Sequence, residues 1–421
     1  MHEPNPDQVR RRRVFYIPGY DPFPPRRYRE LYRKEAAAQA AISGYEIAMS
    51  PQRNGGPYGW NVTARIEGAE TETDIEVLVW SDIVRGSMGQ SIPATYWQLL
   101  RTAWIYVSTG ALFGLMRLRK GPVIAALYPI FALVIELCVA VVLGSVAARV
   151  IAPMIWLLPL GAEATAFGAH LAAEAVIYWT VFLAVVWAVL RVFRSQDRRL
   201  FAYYLMHDYA FTAALRGANP PELEKRLSAF EAAIAKALQS DVDEVLVVGH
   251  SSGAHLAVTV LADLIRAEMV ARNGPALGFL SLGQVVPMVS FLPAATRLRG
   301  DLAFLSARDE LSWVDVTAPG DGCAFALCDP VCVSGVAPQG KRWPLVISAA
   351  FTQTLSPERW LALKRRYFRL HFQYLCAFDR PGDYDYFRIT AGPQTLAARF
   401  RGRAPSKSRI ETMVNRYQGT E

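Results

Sequence analysis

An apolar stretch from Gly121 to Phe193, with few interruptions, constrains this chain more than any other feature. Pro122 to about Ala148 carries Glu136 as its only charge, and the run from about Ala164 to Leu190 carries only Glu174. Each supplies the roughly 20 apolar residues that a helix needs to cross about 30 Å of hydrocarbon. Arg149, Pro153, Pro159 and Gly161 between the runs read as a turn, so 121–193 is expected to be a transmembrane helical hairpin. A buried hairpin of a soluble protein fits less well, because buried helices seldom run this long without a polar stripe. Arg117, Arg119 and Lys120 precede the first run, and Arg191, Arg194, Arg198 and Arg199 follow the second. The positive-inside rule then places both ends of the hairpin in the cytoplasm. The expectation is a two-pass integral membrane protein with both termini and its soluble domain cytoplasmic, in the inner membrane if the cell is bacterial. Glu136 and Glu174 read as helix-packing or protonated carboxylates; without further polar partners they do not make a proton path.

Composition adds limits. Of 421 residues, 52% are hydrophobic and 19% charged, which excludes disorder, collagen-like repeats and coiled coil. The net charge of +8 comes largely from Arg-rich clusters at 10–13, 117–120, 191–199, 364–369 and 399–409. Such clusters can mark nucleic acid binding, but beside apolar segments they mark the membrane surface, so a lipid bilayer is the expected partner and nucleic acid is not. Five cysteines, an odd number without a small secreted framework, indicate a reducing compartment. Met1 to Arg13 is polar and basic and leads straight into a strand, so no signal peptide is expected. Residues 95–120 have an amphipathic pattern, with Trp97, Leu100, Trp104, Val107 and Leu112 available to one helical face. An interfacial helix and an ordinary buried helix fit it equally. The basic tail 399–421 is expected to be flexible and drawn to anionic headgroups.

Outside the hairpin the pattern is α/β. Val14 to Ile17 is a strand ending in the turn Pro18-Gly19-Tyr20, followed by a helix from about Pro25 to Ile42. Strand-like runs follow at Tyr45–Met49, Tyr58–Ile66 and Asp74–Trp80, and beyond the hairpin helices fit about Arg199–Leu215 and Pro221–Leu238. An apolar strand, Val245–Val248, then meets Gly249-His250-Ser251-Ser252-Gly253 and an apolar helix from Ala254 to Ala267. This is G-x-S-x-G in a strand–turn–helix context, the nucleophile elbow. Gly249 and Gly253 let strand and helix approach, and the helix N-terminus offers N–H groups where an oxyanion develops. A strand-to-helix turn using Ser as a cap is the plainer alternative.

With this motif, the Pro18-Gly19 turn and the order of elements, the chain resembles the α/β-hydrolase superfamily of serine esterases and lipases. The likeness covers most of the chain outside 95–198. It implies an α/β-hydrolase-like sheet flanked by helices and interrupted by the two-helix transmembrane hairpin. The hydrolase domain would comprise 1–94 and 194–398, parted by the interfacial helix 95–120 and the hairpin 121–193. The resemblance implies oxyanion donors at the backbone of Tyr20, or Gly19, and of Ser252. This chain has Pro18-Gly19 where the family often has His-Gly; the donor is a backbone group, so the role survives.

A serine nucleophile needs a base and a carboxylate to orient it, and in this family the order is Ser, acid, His. Of the six His, His2 and His207 precede Ser251, His170 lies in the apolar stretch, and His250 and His255 belong to the elbow. His371 remains. Leu277–Leu282 reads as the next strand, and 311–321 as another, ending in a turn that holds Asp321. Asp321 is the first choice of acid, Asp315 the second and Asp329 the third. Cys323, Cys328 and Cys332 lack the paired knuckles of a structural zinc site. Asp379, Asp383 and Asp385 lack the ligand order of a calcium loop and read as a solvated turn. No metal and no cofactor is expected. The expected activity is hydrolysis of an acyl ester, a lipid or lipid-like one, by Ser251, His371 and Asp321. An acyltransferase using the same residues and a catalytically silent α/β-hydrolase-like scaffold are the alternatives.

Overall fold

A computed structural model of the protein describes residues 7–52, 58–157 and 164–421; His2, Pro159 and Gly161 of the sequence reading lie outside them. The chain divides into two compact units, one of residues 1–87, 104–124 and 211–421, the other of 88–103 and 125–210.

The first unit is built on an eight-stranded mixed sheet. Its strands are β1 (Arg11–Ile17), β2 (Glu46–Pro51), β3 (Gly59–Ile66), β4 (Ala69–Val77), β5 (Glu244–His250), β6 (Ala276–Leu282), β7 (Leu311–Thr317) and β8 (Leu345–Ser348). They lie in the order β2-β3-β4-β1-β5-β6-β7-β8. From β4 to β8 every neighbouring pair is parallel, and β3 is antiparallel to both β2 and β4. Parallel strands need both faces covered. Accordingly β5 and β7 are buried along their whole length, and β6 in all but its first residue. One face holds Val14, Tyr16, Leu246, Val248, Leu280, Leu282, Val314 and Val316, packed with residues that include Tyr28, Tyr32, Tyr374 and Phe387. The helices Arg26–Ser43 and Pro221–Leu238 form close to where sequence places them. β4, by contrast, begins at Ala69 rather than near Asp74: alternating Thr71 and Thr73 pair with β3 and are buried, although their polarity hides them in a hydropathy pattern.

Register sets out the rim of the sheet. Ile17 pairs with Gly249, Gly249 with Ser281, and Ser281 with Asp315, so these four form one row across β1, β5, β6 and β7. Two residues beyond that row stand Gly19, Ser251 and Gly283, at the carboxyl ends where open α/β sheets place their chemistry.

The expected flexible tail is instead tied to this unit. Arg399 pairs with Glu67, Arg401 with Asp7, Arg403 with Asp383 and Arg409 with Glu411. Ile410 N–H donates to the Leu327 carbonyl at 2.7 Å, and the buried Asn415 amide donates to the Ser290 and Ser334 carbonyls. Three of its arginines meet carboxylates from elsewhere in the fold, and these pairs with the backbone hydrogen bonds tie the segment down.

The second unit contains most of two helices long and apolar enough to cross a membrane, at Lys120–Leu157 and Phe167–Ser195. They cross closely at Gly144, where a Cβ would come within 2.9 Å of Val186 and 3.0 Å of the Phe182 carbonyl; small residues allow such contacts between membrane helices. Phe131, Ile135 and Val142 on one helix and Val176, Trp179 and Leu183 on the other are exposed. Glu174 accepts a hydrogen bond from Trp156 Nε1 at 2.7 Å, and Glu136 is buried with Oε2 unpartnered among the described residues. The single amphipathic helix expected over 95–120 is instead two, Ile92–Ser108 and Ala111–Leu118, bent by 74° where Gly110 adopts φ +76°. Trp97 (67% exposed), Leu100, Trp104 (70%) and Val107 do share one face, and that face is open rather than buried; Leu112 is half-buried beyond the bend.

An enclosed ion pair joins β1 to β5. Arg12 Nε meets Glu244 Oε2 at 2.5 Å with both side chains out of solvent. The other guanidinium nitrogens donate to the carbonyls of Gly392 and Gln394, while Glu244 Oε1 accepts from Leu396 N–H. Breaking one partner strands the other charge, which costs about 3–5 kcal/mol. Glu244→Ala is therefore expected to lose about that much stability, read as a fall in the denaturation midpoint of the detergent-solubilised protein. Asp241→Ala removes only an exposed pair with Arg11 and should leave the midpoint nearly unchanged.

Candidate functional site

The turn after β5 is shaped by glycine. A Cβ on Gly253 would lie 2.1 Å from the Ile17 carbonyl oxygen and 2.7 Å from that of Pro18. One on Gly249 would meet Ala254 Cα at 2.7 Å. β1, β5 and the helix Gly253–Arg266 can therefore converge only if both positions lack side chains. Between them Ser251 holds φ +56°, the left-handed region that L side chains rarely adopt. Its N–H donates to the Leu282 carbonyl at 2.9 Å, which pins the strained residue to the end of β6. Backbone strain at a rim residue is a mark of functional sites.

Gly19 faces this serine across the rim. A Cβ there would lie 2.9 Å from Ser251 Cβ and 3.4 Å from its Oγ. Tyr20 follows, buried, its hydroxyl hydrogen-bonded with Ser87 Oγ at 2.5 Å and its ring packed on Trp80 and Phe211. Ser252 is buried at the N-cap position of the helix Gly253–Arg266.

Asp321 and His371 meet. The imidazole Nδ1 lies 2.7 Å from Asp321 Oδ2, with the two side chains nearly out of solvent. Asp321 also accepts from the Tyr374 hydroxyl at 3.0 Å and from Cys323 N–H at 2.9 Å. Burial works against its charge, but the His371 ring and these donors outweigh it and hold the carboxyl below its usual range. With a carboxylate accepting at Nδ1, that nitrogen carries the proton and Nε2 presents a lone pair. Nε2 is buried without a hydrogen-bond partner among the described residues. His250 closes the other side: its Nε2 donates to the His371 carbonyl at 3.0 Å, and the two rings lie 4.8 Å apart. Burial first, then the His371 ring, pushes His250 down to about 3, so it stays neutral and serves as a fixed donor. Gly283, φ +53°, lies where a Cβ would come 3.0 Å from His371 Cε1. Ser251, bonded to Leu282, and His371, packed at Gly283, thus converge on one strand end.

The other acids have different occupations. Asp315 sits inside β7, its Oδ1 accepting from Ser281 Oγ at 2.5 Å, and Ser281 in turn accepts from Trp313 Nε1. Asp329 caps the turn Pro330–Val333 through Val331 and Cys332 N–H and pairs with Lys341 at 2.7 Å. Asp379, Asp383 and Asp385 do not form the simple solvated turn expected. Asp385 is buried and caps the helix Tyr386–Ala391, Asp379 binds Arg359 and Ser356 N–H, and Asp383 binds Arg403.

Among the described residues two groups have donor atoms within 4.8 Å of one another: Asp321, Cys323 and His371, and Asp329, Cys332 and Glu411. In the first, an ion would have to break the Asp321–His371 bond. In the second, Lys341 already supplies a cation to Asp329, and burial holds the Cys332 thiol up to about 12, so it is not a thiolate at neutral pH. Neither donor set suits a metal.

Sequence reasoning missed Tyr374 and His250 as parts of the site. Tyr374 lies three residues after His371, and that spacing on a helical turn was the available signal. Compared with family models, curated proteins and solved structures, the chain gives no match.

The buried carboxyl of Asp315 gives a pH prediction. Burial pushes it up to about 8, against 3.8 for an ordinary aspartate. The unfolded chain loses this proton near pH 4 and the folded chain only near 8, so stability falls as pH rises between them. Asp315→Asn keeps the acceptor for Ser281 and removes the titration. Its denaturation midpoint should rise at pH 8 relative to wild type, and its profile between pH 5 and 8 should be flatter.

Proposed function

We propose that the chain is a membrane-anchored serine hydrolase of the α/β-hydrolase kind, cleaving an acyl ester. The observation that carries this reading is the Asp321–His371 bond, which leaves Nε2 buried and unpartnered among the described residues, with His371 packed at Gly283 and the strained Ser251 bonded to the adjacent Leu282. Ser251 Oγ attacks the acyl carbonyl while His371 Nε2 takes its proton; Asp321 holds the imidazole in that tautomer and stabilises the imidazolium. The tetrahedral oxyanion takes N–H groups from Ser252 and from Tyr20 or Gly19. His371 then returns the proton to the departing alkoxide. Water, deprotonated by the same nitrogen, releases the acid and restores Ser251. No metal or cofactor enters this sequence of steps.

Two apolar helices and the exposed Trp97, Leu100, Trp104 and Val107 face support anchoring and favour a lipid or lipid-like ester, since a soluble ester needs no such anchor. Basic residues at both ends of the hairpin favour a cytoplasmic catalytic unit.

Fluorophosphonate labelling of the detergent-solubilised protein tests the reading. Wild type should be labelled, and Ser251→Ala and His371→Ala should not. Ester hydrolysis should fall by about 10⁴-fold or more in Ser251→Ala and by on the order of 10⁴ in Asp321→Asn. A folded wild type that takes no label would overturn the hydrolase reading in favour of a silent scaffold.

A further inference from the structure

Six exposed cations within 117–120 and 364–369 have no part in the proposed chemistry and none in the ion pairs among the described residues. Arg117, Lys120, Lys364, Arg365, Arg366 and Arg369 are all exposed, and none forms an ion pair among the described residues. Four of the tail arginines, Arg399, Arg401, Arg403 and Arg409, differ in this respect, each being matched by a carboxylate. Residues 361–369, Leu-Ala-Leu-Lys-Arg-Arg-Tyr-Phe-Arg, contain no acid. Within them Leu361 and Tyr367 are 60% and 59% exposed, so apolar and cationic groups share one open surface.

This surface has a fixed relation to the point where the chain enters its first apolar helix. A Cβ on Gly322 would lie 3.1 Å from the Tyr367 ring, and one on Gly121 would lie 3.4 Å from Gly322 Cα. Arg119 Nε donates to the Ala326 carbonyl at 2.9 Å, fastening the approach to that helix onto the same loop. Trp360 packs on the loop as well, 2.6 Å from where Gly320 would carry a Cβ. Gly322 therefore touches both the start of the span and Tyr367, and it follows Asp321 directly. The end of a span lies at headgroup depth, where cations meet anionic lipid and aromatic rings sit at the interface.

We propose that residues 360–369, together with Arg117 and Lys120, form a docking surface for anionic phospholipid headgroups, which holds the rim carrying Asp321 and His371 against the bilayer. The proposal rests on the membrane-anchored part of the reading above and not on ester hydrolysis. Leu361 and Tyr367 enter the interface, and the six cations pair with lipid phosphates around them. An ester drawn from the bilayer would then reach Ser251 without crossing water.

The test uses the full chain in nanodiscs of phosphatidylcholine, with or without phosphatidylglycerol, and an environment-sensitive fluorophore on Leu361→Cys. A control carries it on Met269→Cys, exposed beyond the C-terminal end of the elbow helix, at the opposite rim of the sheet. The signal of the labelled parent, with its five native cysteines, is subtracted. Brominated lipid should quench position 361 at least twofold more with phosphatidylglycerol than without, and should leave position 269 unquenched. Replacing Arg365, Arg366 and Arg369 together by Gln should abolish the difference, and replacing them by Lys should restore it. Equal quenching at 361 and 269, or no dependence on the anionic lipid, would overturn the proposal. Fluorophosphonate labelling takes no part in this readout, so a protein without hydrolase activity can still dock. A chain that is not a membrane protein fails earlier, by not entering the discs.

Discussion

The structure depends on one close approach of backbone to backbone. Gly253 lies so near the Ile17 and Pro18 carbonyls that no side chain fits, and this contact brings the end of β1 against the start of the elbow helix. From it follow the facing positions of Gly19 and Ser251, and hence of the two N–H groups that an oxyanion would need. Any side chain at Gly253 must push β1 away from β5, and the Arg12–Glu244 pair resists that movement from within the same two strands. The site is thus held by sterics at one end of β1 and by a desolvated charge pair at the other.

Much of this is legible in the chain itself, for physical reasons that differ by element. The two long apolar helices can be read because hydrocarbon thickness imposes a length and a composition that few soluble helices share. The elbow can be read because its glycines and serine are local, each constrained by neighbours a few residues away. His371 follows from the chain order that the resemblance implies and from elimination, Asp321 from its place in the turn after a strand, and the structure brings them into contact. What stays hidden is non-local or polar. β4 starts with buried threonines, Tyr374 reaches Asp321 only once β7 and the His371 turn are packed, and the bend at Gly110 splits a pattern that looks continuous. The tail looks flexible in sequence because its partners Asp7, Glu67 and Asp383 are not its chain neighbours.

Polar groups at the rim are arranged so that each has one state. His250 donates to the His371 carbonyl and is kept neutral by burial, so it fixes the backbone behind the imidazole without competing for its proton. Tyr374 accepts from Ala318 N–H and donates to Asp321, which leaves its hydroxyl a single orientation. Satisfied networks of this kind rigidify a site, because every alternative arrangement leaves a buried group unpaired.

The two aspartates associated with β7 show how burial alone does not decide protonation. Asp315 and Asp321 are both enclosed, and desolvation acts to raise both. Among the described residues Asp315 accepts a single side-chain hydrogen bond, from Ser281, and its second oxygen has no partner, so the neutral form is favoured. Asp321 accepts from an imidazole, a phenol and a backbone N–H, and the charged form is favoured. Only a carboxylate that remains ionised can hold Nδ1–H and stabilise a positive imidazole. The turn Ala318–Asp321, by carrying the acid past the strand end to where those three donors converge, is what separates an orienting carboxylate from a buried neutral acid on the same segment of chain.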